Sequence, residues 1–258
     1  MCFSEAMSWS FTVLGFGGAA FIYRYIPNMY FIAHTIAYFA IMELTQALTY
    51  RVLDDCNPWN KFYTIIGGLH ICFQPLVTNF MASNEYYDKP IIRERFLFVC
   101  RLSALFGIWM FARSVVEIYG ITKSIVPDSC TFTYATETLR GTDLCSYRAK
   151  YHMGWHFPMA DNHYWWPSMN LHCFLSFGPM LVHLEDYTMV IKAFILMLTG
   201  PILAAWFTDD TSEQAAIWCL YSVGHLLAAG LIHFFVVMKG KYIFVGFKYD
   251  IYTLRFID

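Results

Sequence analysis

The sequence predicts an all-α, polytopic membrane protein: a bundle of about seven transmembrane helices with one long extramembrane loop. Three observations carry that prediction. Of the 258 residues, 58% are hydrophobic and only 14% charged, whereas a soluble globular domain carries about 25% charged residues. Mean hydropathy is +0.44. Aromatic residues reach 19%, an excess expected where rings anchor at the membrane–water interface. The same composition argues against a soluble enzyme and against a disordered tail. A net charge of −2 provides no basic field to recruit nucleic acid, so none is expected as a partner. With no repeat and no flexible linker, residues 1–258 read as one transmembrane domain.

A helix that crosses about 30 Å of hydrocarbon needs roughly 20 mostly apolar residues. Seven segments meet that requirement: Ser8–Ile26, Met29–Tyr50, Phe62–Met81, Phe96–Tyr119, Pro167–Leu184, Thr188–Phe207 and Ala215–Met238. Breakers separate them at Pro27-Asn28, Asn57-Pro58, Lys89-Pro90 and Asp209-Asp210. The first run lacks the basic flank and small-residue cleavage site of a signal peptide and reads as a retained helix. Gly15, Gly17 and Gly18 are candidates for close helix approach, and Gly200-Pro201 should distort the sixth helix. The stretch 120–166, between helices four and five, is too long for a simple connector and is expected to cap something.

Seven spans put the termini on opposite faces. Arg24, Lys89, Arg93, Arg95, Lys192, Lys239, Lys241, Lys248 and Arg255 gather on one face, while much of the positive charge on the other lies in the long loop. The positive-inside rule then predicts an outside N-terminus and a cytoplasmic C-terminus. Cys2, Cys56, Cys130 and Cys145 fall on the outer face in that topology, and Cys72, Cys100, Cys173 and Cys219 within helices. A Cys130–Cys145 bridge would close a loop of about 15 residues, worth roughly 3 kcal/mol of chain entropy. The alternative is eight reduced cysteines that merely pack.

An ionisable residue inside a span costs at least about 2.5 kcal/mol at the bilayer centre and is a functional candidate for that reason. Helix two carries Glu43 and Gln46 on one face; helix three carries His70 and Gln74; helix four carries Arg113 and Glu117. Helix five opens with Asn170 and His172, and helix seven carries His225 and His233. With the N-terminus outside, Glu43, Gln46, Arg113, Glu117 and His172 fall in the outer half of the membrane and His70 and His225 near its middle, with His233 lower. The end of the long loop adds His152, His156, Asp161 and His163 above the same band.

Three readings follow. A metal site would use neutral imidazoles and a carboxylate, which suit zinc or another transition metal; the spacing of His152 and His156 serves it only if that stretch is helical. A proton or ion pathway would be lined by Glu43 and the histidines. In the structural reading, Glu43–Gln46 and Arg113–Glu117 satisfy one another and hold helices together. No Gly-rich phosphate loop, nucleophile elbow or His-Glu-x-x-His is present, and helix seven has no lysine for a retinal Schiff base.

The opening Met1-Cys2-Phe3-Ser4, the segment Glu43-Leu-Thr-Gln46 and above all His70-Ile-Cys-Phe-Gln-Pro75 resemble an uncharacterised family of polytopic membrane proteins. His152-Met-Gly-Trp155, Pro158-Met-Ala-Asp161 and Glu213-Gln-Ala-Ala-Ile-Trp-Cys219 are similar too. The resemblance implies a membrane protein and marks Glu43, Gln46, His70, Gln74, His152, Asp161, His172 and Glu213; it implies no reaction. Seven-helix zinc hydrolases of the alkaline ceramidase kind offer a looser analogy. Their pair of histidines one turn apart on the last helix is not reproduced, because His225 and His233 are eight residues apart.

The leading expectation is a metal-assisted enzyme acting on a lipid or other apolar substrate. His70, His172 and His225 would hold the metal, with His152 and Asp161 as weaker candidates, and Glu43 would be the base toward a bound water. Gln46 and Gln74 would orient the ligands. The alternatives are a non-catalytic membrane subunit of a larger complex, for example a bioenergetic one, and a small proton-coupled transporter or channel. Lipid and other membrane subunits are the expected partners.

Overall fold

The computed structural model describes residues 4–26, 29–118, 144–156, 169–182, 187–210, 213–224, 249–250 and 255–256. Within them the chain is mostly helical: α1 (Glu5–Tyr25), α2 (Tyr30–Thr49, with a 3-10 turn Tyr50–Val52), α3 (Pro58–Glu85) and α4 (Pro90–Ile118) come first. After the hairpin β1 (Cys145–Arg148) and β2 (Met153–His156) come α5 (Met169–Leu181) and α6 (Tyr187–Met197). A π-helical turn at Leu198–Ile202 leads α6 into its last turn, Leu203–Phe207. Residues 213–224 form α7. A second, two-residue ladder pairs β3 (Tyr249–Asp250) with β4 (Arg255–Phe256).

Five of these helices are long and apolar enough to cross a membrane: Glu5–Tyr25, Tyr30–Val52, Pro58–Glu85, Pro90–Ala112 and Met189–Phe207. A sixth apolar stretch, Leu171–Leu181, is shorter. Five of the seven expected spans therefore appear as helices of spanning length where the apolar runs lie, with ends that local chemistry moves. α3 starts four residues early because Asn57 caps it, accepting from the Asn60 N–H at 3.0 Å, and Pro58 takes the first turn, where no N–H is needed. The distortion expected at Gly200-Pro201 is the π turn itself. Of the last predicted span, residues 225–238 lie outside the described residues, as do 119–143 and 157–168 of the long loop.

The burial pattern inverts that of a water-soluble bundle. α4 turns Phe98, Leu105, Ile108 and Trp109 outward, while Glu43, Gln46, His70, Gln74, Asn79 and His172 are buried. Exposed apolar side chains in that number mark a surface made for a partner or for lipid. α2 is the most enclosed helix. It packs on α1 and α3, α3 packs in turn on α4 and α5, and close approach is set by small residues. A Cβ on Gly15 of α1 would stand 2.7 Å from the Ala40 Cβ of α2, and one on Gly107 of α4 would stand 2.7 Å from the Cys72 carbonyl oxygen. Gly17 has open space beside it, so of the first-helix glycines Gly15 is a contact residue and Gly17 is not.

The hairpin covers one end of this bundle, here called the hairpin end. Cys145 opposes His156, and Ser146, Tyr147 and Arg148 oppose Trp155, Gly154 and Met153. Asn60 treats β1 as a neighbouring strand would: its Oδ1 accepts the Ser146 N–H at 2.6 Å and its Nδ2 donates to the Ser146 carbonyl at 2.8 Å. That clamp brings Cys145 over the α2–α3 connection, where it is bridged to Cys56. Both readings of the cysteines are thus corrected, the Cys130–Cys145 bridge and the eight reduced thiols: Cys145 is bridged to Cys56, and Cys130 lies outside the described residues. Sequence proximity favoured Cys130, but the tertiary clamp decides the pairing. Arg148 pairs with Asp54 at 3.6 Å. Trp155, Met153 and Leu144 pack with Met42 and Ile71 and so seat the hairpin in the bundle core.

Candidate functional site

Beneath the hairpin, buried polar residues follow one another into the bundle, and hydrogen bonds link the first of them, Tyr50, His152 and Gln46. His152 ends the turn between β1 and β2, where the Ala149 N–H donates to its carbonyl at 3.0 Å. Its ring reaches into the bundle and is 3% exposed. Nδ1 lies 2.6 Å from the Tyr50 hydroxyl and Nε2 lies 2.8 Å from Gln46 Oε1. Gln46 Nε2 donates to the Ala216 carbonyl at 3.4 Å, which leaves Oε1 for the imidazole. The neutral Nε2–H tautomer satisfies every atom here: Tyr50 donates to Nδ1, and Nε2–H donates to Gln46. Burial pushes the His152 imidazole down to about 3. The backbone on either side is held by Glu213, whose Oε1 accepts the N–H groups of Tyr151 and of His152, the latter at 2.6 Å.

One helical turn deeper on α2 than Gln46 lies Glu43, fully buried. It faces Ser8 of α1 and Cys219 of α7. Among the described residues neither carboxyl oxygen has a partner at hydrogen-bonding distance and angle, and the Ser8 hydroxyl beside it has none either. A buried carboxyl in that state is satisfied either by carrying a proton or by meeting a cation; an isolated carboxylate in an apolar interior is very costly. Beyond Glu43 the track continues to Gln74, whose Nε2 donates to Cys219 Sγ at 3.2 Å.

The remaining candidates stand apart. The His70 ring is stacked on Tyr38 at a centroid distance of 3.9 Å and meets Phe39 edge-on, with its Nε2 unbonded. The Tyr38 hydroxyl donates to the His70 carbonyl. His172 packs edge-on against Trp218, with neither ring nitrogen bonded. Among the described residues, no three His, Cys, Asp or Glu side chains come together in a metal-binding group. His225, Asp161 and His163 lie outside the described residues, as do the side chains of Arg113, Glu117, His156 and Asn170. The helical reading of His152-x-x-x-His156 is corrected by β2: those positions are not one turn apart. A strand rises about 3.3 Å per residue, too far over four residues for a shared ion.

A family model described as a family of unknown function, DUF5765, matches residues 6–239. The chain belongs to the DUF5765 family. The match takes in the hairpin and the whole polar track, and it agrees with the resemblance to an uncharacterised family; it assigns no activity and no residue roles. No curated protein and no solved structure matches the chain. For this DUF5765 member the site therefore rests on its geometry. The sequence pointed to Glu43, Gln46, Gln74 and His152, but not to Tyr50, which fixes the His152 tautomer, nor to Asn60, which seats the hairpin. A polar Asn in the first turn of an apolar helix was the available signal for Asn60.

Proposed function

We propose that the protein is a seven-span integral membrane protein that passes protons through its bundle, with Glu43 as the group that takes up and releases them. The observation that carries this reading is the Glu43 carboxyl, fully buried with neither oxygen hydrogen-bonded. One turn above it, a histidine is held by both nitrogens in a chain that starts at Tyr50. Tyr50 is only partly buried, so the chain begins near solvent at the hairpin end. An imidazole accepts a proton on one nitrogen and gives one from the other, which makes His152 the entry point. Gln46 orients the imidazole through its Oε1 while its Nε2 donates to the Ala216 carbonyl, and Glu43, one turn deeper, is the group that takes up the proton in the interior. The Cys56–Cys145 bridge supports placing the hairpin end in an oxidising compartment, the outside N-terminus of the charge pattern.

The metal-assisted enzyme keeps one supporting observation, the unbonded Nε2 of His70 and the two unbonded ring nitrogens of His172 among the described residues. One experiment separates the readings. The purified full-length protein is reconstituted into liposomes holding a pH-sensitive dye, and a potassium diffusion potential is applied. Proton influx is expected in the wild type, to be reduced at least tenfold by Glu43→Gln, and to be retained in part by Glu43→Asp. Elemental analysis of the same preparation provides the other arm. Near-stoichiometric zinc, iron or copper that disappears in His70→Ala would replace this proposal with the metal-assisted enzyme. A folded wild type with neither flux nor metal would overturn both and leave the non-catalytic subunit.

A further inference from the structure

The buried hydroxyls of the bundle share a habit. Thr12, Thr35, Thr45, Thr49, Ser176 and Ser222 each donate to the backbone carbonyl four residues back on their own helix, at 2.7 to 2.9 Å. Ser8 of α1 does not. It is fully buried, and among the described residues its hydroxyl has no partner at hydrogen-bonding distance and angle, a state that Ser103 of α4 shares. What distinguishes Ser8 is the group opposite. The buried face of α1 is the stripe Ser8, Thr12, Gly15, Ala19 and Ile22, at helical spacing. Two contacts fix its register on α2: Gly15 lies against Ala40, and Glu5 pairs with Arg51 at 3.0 Å. Between those contacts, Glu43 stands one turn from Ala40 toward the hairpin end, and the α1 stripe there offers two hydroxyls. The Thr12 proton is committed to the Ser8 carbonyl at 2.7 Å. Ser8 is left to bear on the Glu43 carboxyl. Of the titratable groups on the other packed helices, Cys219 of α7 faces the carboxyl while its Sγ accepts from Gln74, and the His70 ring of α3 is stacked on Tyr38 instead.

We propose that Ser8 and Glu43, both unsatisfied and facing each other across α1 and α2, are hydrogen-bond partners in the working protein, with Ser8 the positioning residue of the proton site. This role rests on the reading of Glu43 as the proton carrier and makes α1 the second wall of its site. A hydroxyl has one proton and two lone pairs. With Glu43 neutral, the carboxyl O–H donates to Ser8 Oγ, and the serine proton turns to the Ser4 carbonyl, the bond that the other hydroxyls make. With Glu43 ionised, the serine O–H swings round and donates to the carboxylate. Ser8 neither gains nor loses a proton; only its hydroxyl rotates. Each state of the carrier thus keeps one hydrogen bond, where an unpaired buried group would be costly. The Gly15–Ala40 contact belongs to the same device, because it sets the helix separation that the hydroxyl must bridge.

The test is infrared spectroscopy of full-length protein in liposomes at acidic pH. Subtracting Glu43→Gln from the wild type isolates the C=O stretch of protonated Glu43, and the same subtraction is made in Ser8→Ala and Ser8→Thr backgrounds. A hydrogen-bonded carboxyl stretches at lower frequency than a free one. The band is therefore expected to move to higher frequency in Ser8→Ala and to return to its wild-type position in Ser8→Thr. Proton influx is expected to fall roughly threefold to tenfold in Ser8→Ala, the worth of one hydrogen bond, and to recover in Ser8→Thr. Gly15→Ala, which moves α1 off α2 and keeps the hydroxyl, is expected to shift the band upward too, and it decides should Ser8→Ala not fold. An unmoved band would overturn the contact, as would a wild-type spectrum with no band that Glu43→Gln removes. A shifted band with undiminished flux would overturn the positioning role. A shifted band in a protein whose wild type passes no protons would overturn the carrier reading and keep the Ser8–Glu43 contact, so the two failures are distinct.

Discussion

His152 is the residue on which the hairpin and the polar track both depend, and its chemistry sets a direction for pH. Neutral, it accepts from Tyr50 and donates to Gln46; protonated at Nδ1, it would face the Tyr50 hydroxyl with a second donor. Burial holds it at about 3, against an ordinary 6.5. A group depressed in the fold binds its proton in the unfolded chain first, so its stabilisation is complete above the unfolded value. It is then lost progressively as pH falls from about 6.5 toward 3. Between pH 7 and 5.5 that loss is roughly 1 kcal/mol for one such group. The unfolding midpoint in detergent is accordingly expected to fall over that interval in the wild type and to fall less in His152→Gln, which keeps a polar side chain that does not titrate. Equal slopes in the two proteins would mean that His152 is not held neutral. Much of this site was legible in the sequence, because Glu43, Gln46 and Gln74 are costly residues in apolar runs and cost is visible without coordinates. Tyr50 was not, since a tyrosine at the end of a span reads as an interface anchor until its hydroxyl is seen on Nδ1.

Elements in this protein are placed by small residues as much as by large ones. α1 and α2 meet where Gly15 faces Ala40, with no room for a methyl group, whereas Gly17, two residues on, faces open space. Gly15→Ala forces the pair apart and is expected to destabilise by about 1–3 kcal/mol, the usual cost of overpacking. Gly17→Ala meets nothing and adds helix propensity, so it is expected to be neutral or stabilising by up to about 1 kcal/mol. Thermal melts of the two variants side by side check this; equal losses would remove the close α1–α2 contact. The glycine cluster shows how far pattern reading goes. The sequence marks the helix as able to approach a neighbour, but which glycine touches depends on helix rotation, and the weak amphipathicity of a membrane span leaves rotation unspecified. The helices themselves were legible for the opposite reason, since length and apolarity suffice to find them. The hairpin was hidden because β1 and β2 are four residues each and are stabilised by Asn60, Cys56 and Glu213, all distant in sequence.

At the scale of the molecule, the two ends differ in chemistry. The hairpin end carries the Cys56–Cys145 bridge, the Glu5–Arg51 pair at 3.0 Å and the Arg148–Asp54 pair. The opposite end carries the α3–α4 connection and a Lys192–Glu85 pair at 3.0 Å. The exposed ion pairs contribute little, typically below about 1 kcal/mol each. The bridge is different in kind: it spans 89 residues, and closing a loop of that length removes about 4.5 kcal/mol of unfolded-chain entropy, against roughly 3 for the shorter Cys130–Cys145 loop. It also joins the hairpin to the connection next to Tyr50, so reducing it should loosen the covering of the polar track as well as the fold. If the hairpin end faces an oxidising compartment, a membrane-impermeant phosphine applied to intact cells reduces the bridge. An impermeant maleimide then labels Cys56 and Cys145 from the same side. The expected result, read peptide by peptide, is labelling of Cys56 and Cys145 only after reduction and at neither position in Cys56→Ser/Cys145→Ser, with an unfolding midpoint lowered by reduction in the wild type and unchanged in the double variant. Labelling of either cysteine without reductant would break the pairing. Labelling that requires permeabilised cells would turn the topology over and put Tyr50 and the entry to Glu43 on the other side of the membrane.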